Sequence, residues 1–362
     1  MISLIGFAKW SCLVSAVAAL GCRPRGLSTA AVEVEMDPLI VGIAAADQAS
    51  ISEPVGIVDE RRIAYDAALV RARTWFDTLK VDPIELRRHG IKGKKKLVEL
   101  LDAYYRLWQV AAPEKRGPLI ERIREVVSIT YEDRYHDMLS TSDEWFKQDS
   151  TSYLRAAVLM ERLGLDTRRY RDEITKIHQR LNNHMPRRGA HQRRVFHWYY
   201  QHLGLQEPFP LKDSLEAGLI AQRRDPAGMS AADVYALTHE VYALYEYGDK
   251  LDIDPFAEDQ REYLYQALRF LVQRYISKSN PDLVAELLEC QHYLRMQAEP
   301  AYREATDFLL ATQNQDGSWS YPRERHHSRD HVGERYQLHT TLVAMRALTG
   351  VFDMPIPTPD SD

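Results

Sequence analysis

The chain has 362 residues, of which 45% are hydrophobic and 27% are charged. This is the composition of a globular protein long enough to bury a large core. Its net charge of -5 is mild, and its basic runs are short and local. Both observations argue against a nucleic-acid-binding function.

The first 22 residues differ from the rest of the chain. Lys9 precedes an uncharged run over residues 10–21, which has the length of a signal-peptide core and is short for a membrane span. The run ends in Ala-Leu-Gly-Cys22, which resembles a bacterial lipobox. The resemblance implies a signal peptide over residues 1–22 and a lipid on Cys22, the first residue of the mature protein.

Two alternatives to a lipid anchor remain open. Cleavage after Ala30 would give a secreted protein, and a start codon assigned too early would give a cytoplasmic one. Export leads us to expect a protein of the cell envelope, lipid-anchored or secreted. We expect it to contact the membrane only through the lipid.

Helix-period apolar stretches dominate the chain beyond Glu60, and no stretch shows sustained strand alternation. Residues 23–58 lack this period and predict a flexible tether. The sequence therefore predicts an all-α domain over residues 59–350, followed by a C-terminal tail over residues 351–362. The predicted helices, in chain order, are residues 63–79, 94–110, 118–138, 145–163, 170–181, 194–203, 231–247, 260–276, 282–296, 302–311 and 336–348.

Glycines at predicted helix ends indicate an internal repeat. Gly164, Gly204, Gly248 and Gly350 are 40, 44 and 102 residues apart, and the last interval equals two repeats of about 51. Two helices and two loops need about this many residues. The chain is therefore predicted to consist of helical hairpins, which form either an open solenoid or a closed ring.

One short motif favours the ring. An apolar helix end leads into Gln313-x-x-Asp316-Gly317-x-Trp319, in which Asp-Gly allows a tight stop and the tryptophan can cover the helix end. The segment resembles the QW motif of terpenoid cyclases and the related repeats of protein prenyltransferases. This resemblance implies an α/α toroid, a closed ring of about five to six helical hairpins around a central cavity.

Three polar residues in apolar helices share the spacing of the repeat. His239, Cys290 and His339 are 51 and 49 residues apart, and their side chains are suitable zinc ligands. They resemble the zinc site of protein prenyltransferases, although Leu288 stands where those enzymes have an aspartate. The resemblance implies zinc bound by these three residues. The alternative is that they are buried polar side chains bonded to the backbone.

Two further residues are candidates for acid–base catalysis. Glu240 follows His239 directly, and His197 lies in an apolar, aromatic helix. Aromatic residues on the same helices predict an aromatic lining for the cavity or, alternatively, an aromatic core.

These features lead to two functional hypotheses. In the first, the central cavity binds or processes an apolar ligand or the end of a peptide or glycan, with zinc as the expected cofactor. In the second, the ring is a non-catalytic binding protein or scaffold of the cell envelope.

The lipid anchor can be tested directly. A chain produced in a bacterial host with radioactive palmitate should become labelled, and Cys22→Ser should abolish the label because the thiol that carries the lipid is missing. An unlabelled mature wild-type protein would contradict the anchor.

Overall fold

The structure is a computed structural model that describes residues 60–320 and 332–352. These residues belong to the second of two units into which the chain divides, Gly56–Asp362. The expected signal peptide, the tether, the lipidation of Cys22 and residues 353–362 of the expected tail lie outside the described residues.

The prediction of an all-α fold is confirmed: the described ranges contain thirteen α-helices and no β-strand. None of these helices is both long and apolar enough to cross a membrane. The helices are α1 (Glu60–Thr78), α2 (Pro83–Leu86), α3 (Lys94–Val110), α4 (Arg116–Val127), α5 (Asp143–Arg162), α6 (Arg168–His184), α7 (Ala190–Leu203), α8 (Leu211–Glu216), α9 (Ala231–Leu244), α10 (Glu258–Ser277), α11 (Pro281–Tyr293), α12 (Pro300–Thr312) and α13 (Val332–Phe352).

Local sequence signals explain where several helices begin. Ser230 and Asp233 form a reciprocal capping box at the start of α9. The side chain of Asn280 caps α11, with a proline at the first helical position. In α3, Leu97, Leu100, Leu101 and Tyr104 are fully buried, which is the spacing of one helix face.

Two parts of the chain show clear differences from the predicted helices. The helix expected over residues 118–138 ends at Val127 and is followed by two short 3-10 turns. In these turns the His136 ring hydrogen-bonds the carbonyl oxygen of Thr130 at 2.8 Å. The ring thus pairs a backbone carbonyl group that a continued helix would have paired with a backbone N–H. Helix α8 has only six residues, too few to show a periodic pattern.

Glycines follow helix ends as predicted at Gly164 and Gly204, but not at Gly350. Gly164 and Gly204 adopt left-handed conformations, with φ of 68° and 66°, just after α5 and α7. Gly350 lies inside α13 instead of ending it. A Cβ atom at Gly350 would be 2.9 Å from the His292 ring, so this glycine allows α13 to approach α11.

Six helices contact one another in sequence. Helix α3 contacts α5, α5 contacts α7, α7 contacts α9, α9 contacts α11, α11 contacts α13, and α13 contacts α3. Among the remaining helices, α4 packs on α3, α6 on α5, α8 on α7, and both α10 and α12 on α11. Residues of α3, α5, α7, α9, α11 and α13 face a shared cavity.

The Gln–Trp segment joins the end of α12 to two distant helices. Trp319 is fully buried, and its indole N–H donates to the Leu309 carbonyl oxygen at 2.8 Å, as expected for a side chain that covers the helix end. Its backbone N–H donates to Thr341 Oγ1 on α13 at 2.9 Å. Gln313 Nε2 donates to the Ala68 carbonyl oxygen on α1 at 2.8 Å.

Gly317 makes this connection possible. Its φ is +94°, and a Cβ atom there would lie 2.2 Å from the carbonyl oxygen of Arg71 on α1. Only glycine allows the two backbones to come so close.

Removing the buried indole should destabilise the whole domain. Trp319→Ala leaves a cavity and removes the indole hydrogen bond to Leu309, and should lower the free energy of unfolding by about 3–5 kcal/mol in urea denaturation. Phe270→Ala, at an aromatic side chain that is 46% exposed, is the control and should cost less than about 1 kcal/mol. Similar losses in both variants would contradict the role given to Trp319.

Candidate functional site

A cavity in the described part of the chain has a volume of about 460 Å³. This is within the usual range for small-molecule sites. Its apolar walls include Phe196 on α7, Tyr235 on α9 and Tyr247 in the turn after α9. The expected aromatic lining is therefore present in part: these three rings line the cavity, whereas Tyr153 on α5 and Tyr200 on α7 do not.

Three carboxylates surround His339 at one side of this cavity. His339 Nδ1 lies 2.9 Å from Glu99 Oε1 on α3. On α11, Asp282 Oδ1 and Glu286 Oε1 each lie 3.7 Å from His339 Nε2. We call Glu99, Asp282, Glu286 and His339 the carboxylate cluster.

Each carboxylate has further hydrogen-bond donors or cations. Lys95 Nζ lies 3.4 Å from Glu99 Oε1. The Thr238 hydroxyl donates to Glu286 Oε2 at 2.5 Å, and the Tyr235 hydroxyl donates to Asp282 Oδ2. These contacts hold the three carboxylates in fixed positions.

The charges of the cluster depend on one another. Burial alone would lower the pKa of His339, but Asp282, Glu286 and Glu99 raise it to about 10, so the ring is an imidazolium at neutral pH. Burial opposes ionisation of Glu99, yet Lys95 and His339 bring the pKa of Glu99 below its usual value.

The two carboxylates of α11 shift in opposite directions. Burial raises the pKa of Asp282, and the neighbouring negative Glu286 adds to this effect. Burial also acts on Glu286, but His239 and His339 outweigh it and lower the pKa of Glu286. The pKa of one carboxyl group is therefore raised while the pKa of its neighbour is lowered, which is the pattern of an acid paired with a base.

The predicted zinc ligands occupy different environments. His239 lines the cavity, with Nδ1 2.8 Å from the Tyr235 carbonyl oxygen and 3.8 Å from Glu286 Oε2. Cys290 is fully buried outside the cavity lining, with Sγ 3.8 Å from the Thr238 carbonyl oxygen. His339 belongs to the carboxylate cluster.

This donor set does not fit zinc as it is arranged. Zinc binds thiolate and neutral imidazole, so it would have to displace the protons of His339 and of the Cys290 thiol, whose pKa burial raises. No group of three or more His, Cys, Asp or Glu side chains within the described ranges is arranged to hold a metal ion. Zinc stays a prediction, and we derive no chemical step from it.

The two predicted acid–base residues lie apart from the cavity lining. Glu240 is 1% exposed and accepts hydrogen bonds from Arg194 Nη1 at 2.8 Å and from the Leu219 N–H at 2.8 Å. His197 Nδ1 is 2.8 Å from Glu207 Oε2. Glu240 therefore has the contacts of a buried structural ion pair, and the catalytic role predicted for both residues stays a prediction.

The spacing of two carboxylates in the sequence indicates that they share a helix face. Asp282 and Glu286 are charged residues four positions apart in the apolar segment 281–288, so they lie on one face of a helix. The zinc hypothesis instead selected Cys290, which is one further turn along the same helix.

Residues 67–349 match the family described as a domain of unknown function, DUF6895. The chain belongs to this family. No curated protein and no solved structure matches it.

The cationic role of His339 predicts a pH dependence of stability. Because the pKa of His339 is about 10 in the folded state and about 6.5 in an unfolded chain, its contribution is complete below pH 6.5 and is lost as the pH rises through 10. His339→Gln should lower the free energy of unfolding by about 3–5 kcal/mol near pH 6 and by less near pH 10, measured by urea denaturation.

His178→Gln provides the matched control. The His178 ring bonds the Gln206 carbonyl oxygen and no carboxylate among the described residues, so its loss should cost less than about 1 kcal/mol. An equal effect of His339→Gln at both pH values would show that the imidazolium does not balance the cluster.

Proposed function

We propose that the protein is an acid–base enzyme with an α/α-toroid architecture, and that it hydrolyses a glycosidic bond at the end of a glycan bound in the central cavity. In this proposal Asp282 donates a proton to the leaving group, and Glu286 acts on the other side of the bond as base or nucleophile. The opposite pKa shifts of these two neighbouring carboxyl groups, combined with their position at the cavity, carry the proposal.

The cyclic order of helix contacts supports the toroid. Six helices contact one another in turn, and α13 also contacts α3. All six contribute to the lining of the same cavity, which is what a ring of hairpins around a central hollow requires. The Gln–Trp segment between α12 and α13 is consistent with the resemblance to terpenoid cyclases and protein prenyltransferases.

The geometry of the carboxyl pair supports hydrolysis. Glycosidases use two carboxyl groups, about 5–9.5 Å apart, one as acid and the other as base or nucleophile. Because Asp282 Oδ1 and Glu286 Oε1 each lie 3.7 Å from the same His339 nitrogen, their separation cannot exceed twice that distance. The Phe196, Tyr235 and Tyr247 rings offer apolar surface beside the pair, and polar groups orient the ligand.

Within this proposal, His339 and Glu99 are positioning residues. The imidazolium offsets the repulsion between the two neighbouring carboxyl groups, which are largely buried. Glu99 in turn fixes the ring through Nδ1.

A non-catalytic binding protein is the second candidate function. Every member of the carboxylate cluster has an internal partner, and a fully paired network serves ligand recognition or structure as well as catalysis. For either function, the expected signal peptide and Cys22 support an exported, lipid-anchored protein of the cell envelope.

Release of reducing sugar from a panel of oligosaccharides would test the enzyme. Asp282→Asn and Glu286→Gln preserve shape and remove the acid and the base, so each should lower kcat about 100-fold or more. Asp252→Asn, at an exposed loop carboxylate, is the control and should retain full activity. Folding of all three variants is checked by thermal melting.

Two results would contradict hydrolysis. One is wild-type protein that binds an oligosaccharide in calorimetry and releases no sugar, which favours the binding protein. The other is full activity of the Asn and Gln variants.

A further inference from the structure

A second cavity, of about 150 Å³, differs from the first in the charge of its lining. Arg106 from α3, Arg155 from α5 and Arg346 from α13 line it, together with Asp102 and Glu289. Tyr247 borders both cavities. Three arginines at one small buried hollow are unusual, because each guanidinium loses hydration there.

The carboxylates at this cavity do not balance its arginines. Asp102 pairs with Arg155, with Oδ1 2.5 Å from Nη2, and Glu289 pairs with Arg346 at 2.5 Å. Arg106 has no carboxylate within 4 Å in the described part of the chain, and its Nε–H donates to Thr349 Oγ1 at 2.8 Å.

Another carboxylate at the cavity does not change this balance. Asp249 is paired with Arg162, and Arg162 does not line the cavity. Within the described residues, the guanidinium of Arg106 is therefore the one in this lining that no carboxylate balances. In agreement, burial is the main cause that lowers the pKa of Arg106.

Two polar atoms of side chains that line the cavity lack hydrogen-bond partners among the residues that the structure describes. Arg155 Nη1 has none, and the Arg155 side chain is only 8% exposed. Glu289 Oε2 also has none, although its other oxygen accepts from the Tyr293 hydroxyl at 2.6 Å. Such buried groups are normally satisfied by protein, water or ligand.

The unpartnered atoms specify a ligand with two properties. An excess guanidinium charge and the free Arg155 N–H require an anion with acceptor oxygens, and guanidinium forks suit carboxylate and phosphate. The free Glu289 oxygen requires a donor, such as a hydroxyl group. The small volume limits the ligand to a few heavy atoms.

We propose that this arginine cavity is a second binding site, which takes a small oxyanion that also carries a hydroxyl group. Hydrogen phosphate and an α-hydroxycarboxylate are the two sources of this chemistry. Neither Asp282 nor Glu286 lines this second cavity, and Tyr247 borders both cavities. The second site therefore does not depend on whether the protein hydrolyses glycans.

Isothermal titration calorimetry with inorganic phosphate, glycolate and acetate, at constant ionic strength with chloride as the background anion, tests the proposal. Wild-type protein should bind phosphate or glycolate, and the tighter of the two identifies the source. Acetate has no hydroxyl group for Glu289 and should bind at least about fivefold more weakly than glycolate, the loss of one hydrogen bond.

Variants locate the site. Arg106→Gln should weaken binding at least about tenfold, whereas Arg106→Lys keeps the charge and should weaken it less. Arg168→Gln is the matched control, since that side chain is 88% exposed, and its affinity should equal that of wild type. The Lys variant keeps the test informative if the Gln variant does not fold.

The proposal is overturned if wild-type protein binds neither phosphate nor glycolate at millimolar concentration. It is also overturned if Arg106→Gln, or Arg106→Lys where the Gln variant does not fold, binds as tightly as Arg168→Gln. Acetate binding equal to glycolate would overturn the hydroxyl group as part of the ligand.

Discussion

The site depends on one electrostatic constraint: Glu99, Asp282 and Glu286 lie close together with little water, and they need a cation among them. His339 supplies it. The ring comes from α13, whereas its partners come from α3 and α11, so Glu99 and His339 are 240 positions apart in the chain. Burying a carboxylate without a partner is costly. The cavity therefore has its present charges only when α13 is seated between α3 and α11, and fold and site are stabilised together.

The second cavity also brings like charges together at one buried place, but these charges are positive. Arg155 and Arg346 each have a carboxylate partner, while Arg106 has only a hydroxyl group. Between the two hollows lies Tyr247, which adopts a left-handed conformation with φ of 58°, directly after Glu246 with φ of 48°. Non-glycine residues with such values carry strain of about 1–3 kcal/mol and often occur at functional sites. Here the strained turn directs an aromatic ring to the border of both cavities.

Local patterns predicted much of the fold, because periodicity and caps act over a few residues. The capping box at Ser230, the left-handed glycines after α5 and α7, and the cover that Trp319 forms over α12 are of this kind. Long-range partners were not accessible. Nothing near Glu240 in the sequence announces its pairing with Arg194, 46 positions away, and Gly350 resembles a helix end although it serves a close approach to His292. The cluster around His339 joins three separate helices, so only its α11 pair could have been read from spacing.

The bonds of Gln313 also bear on how the protein is made. Its amide reaches the Ala68 carbonyl oxygen, 245 positions earlier, and Gly317 packs against Arg71 in the same helix. During synthesis the first helix is complete long before these partners leave the ribosome. A nascent chain therefore lacks these contacts to α1 until the segment around Gln313 has been synthesised, and contacts so distant in sequence form slowly.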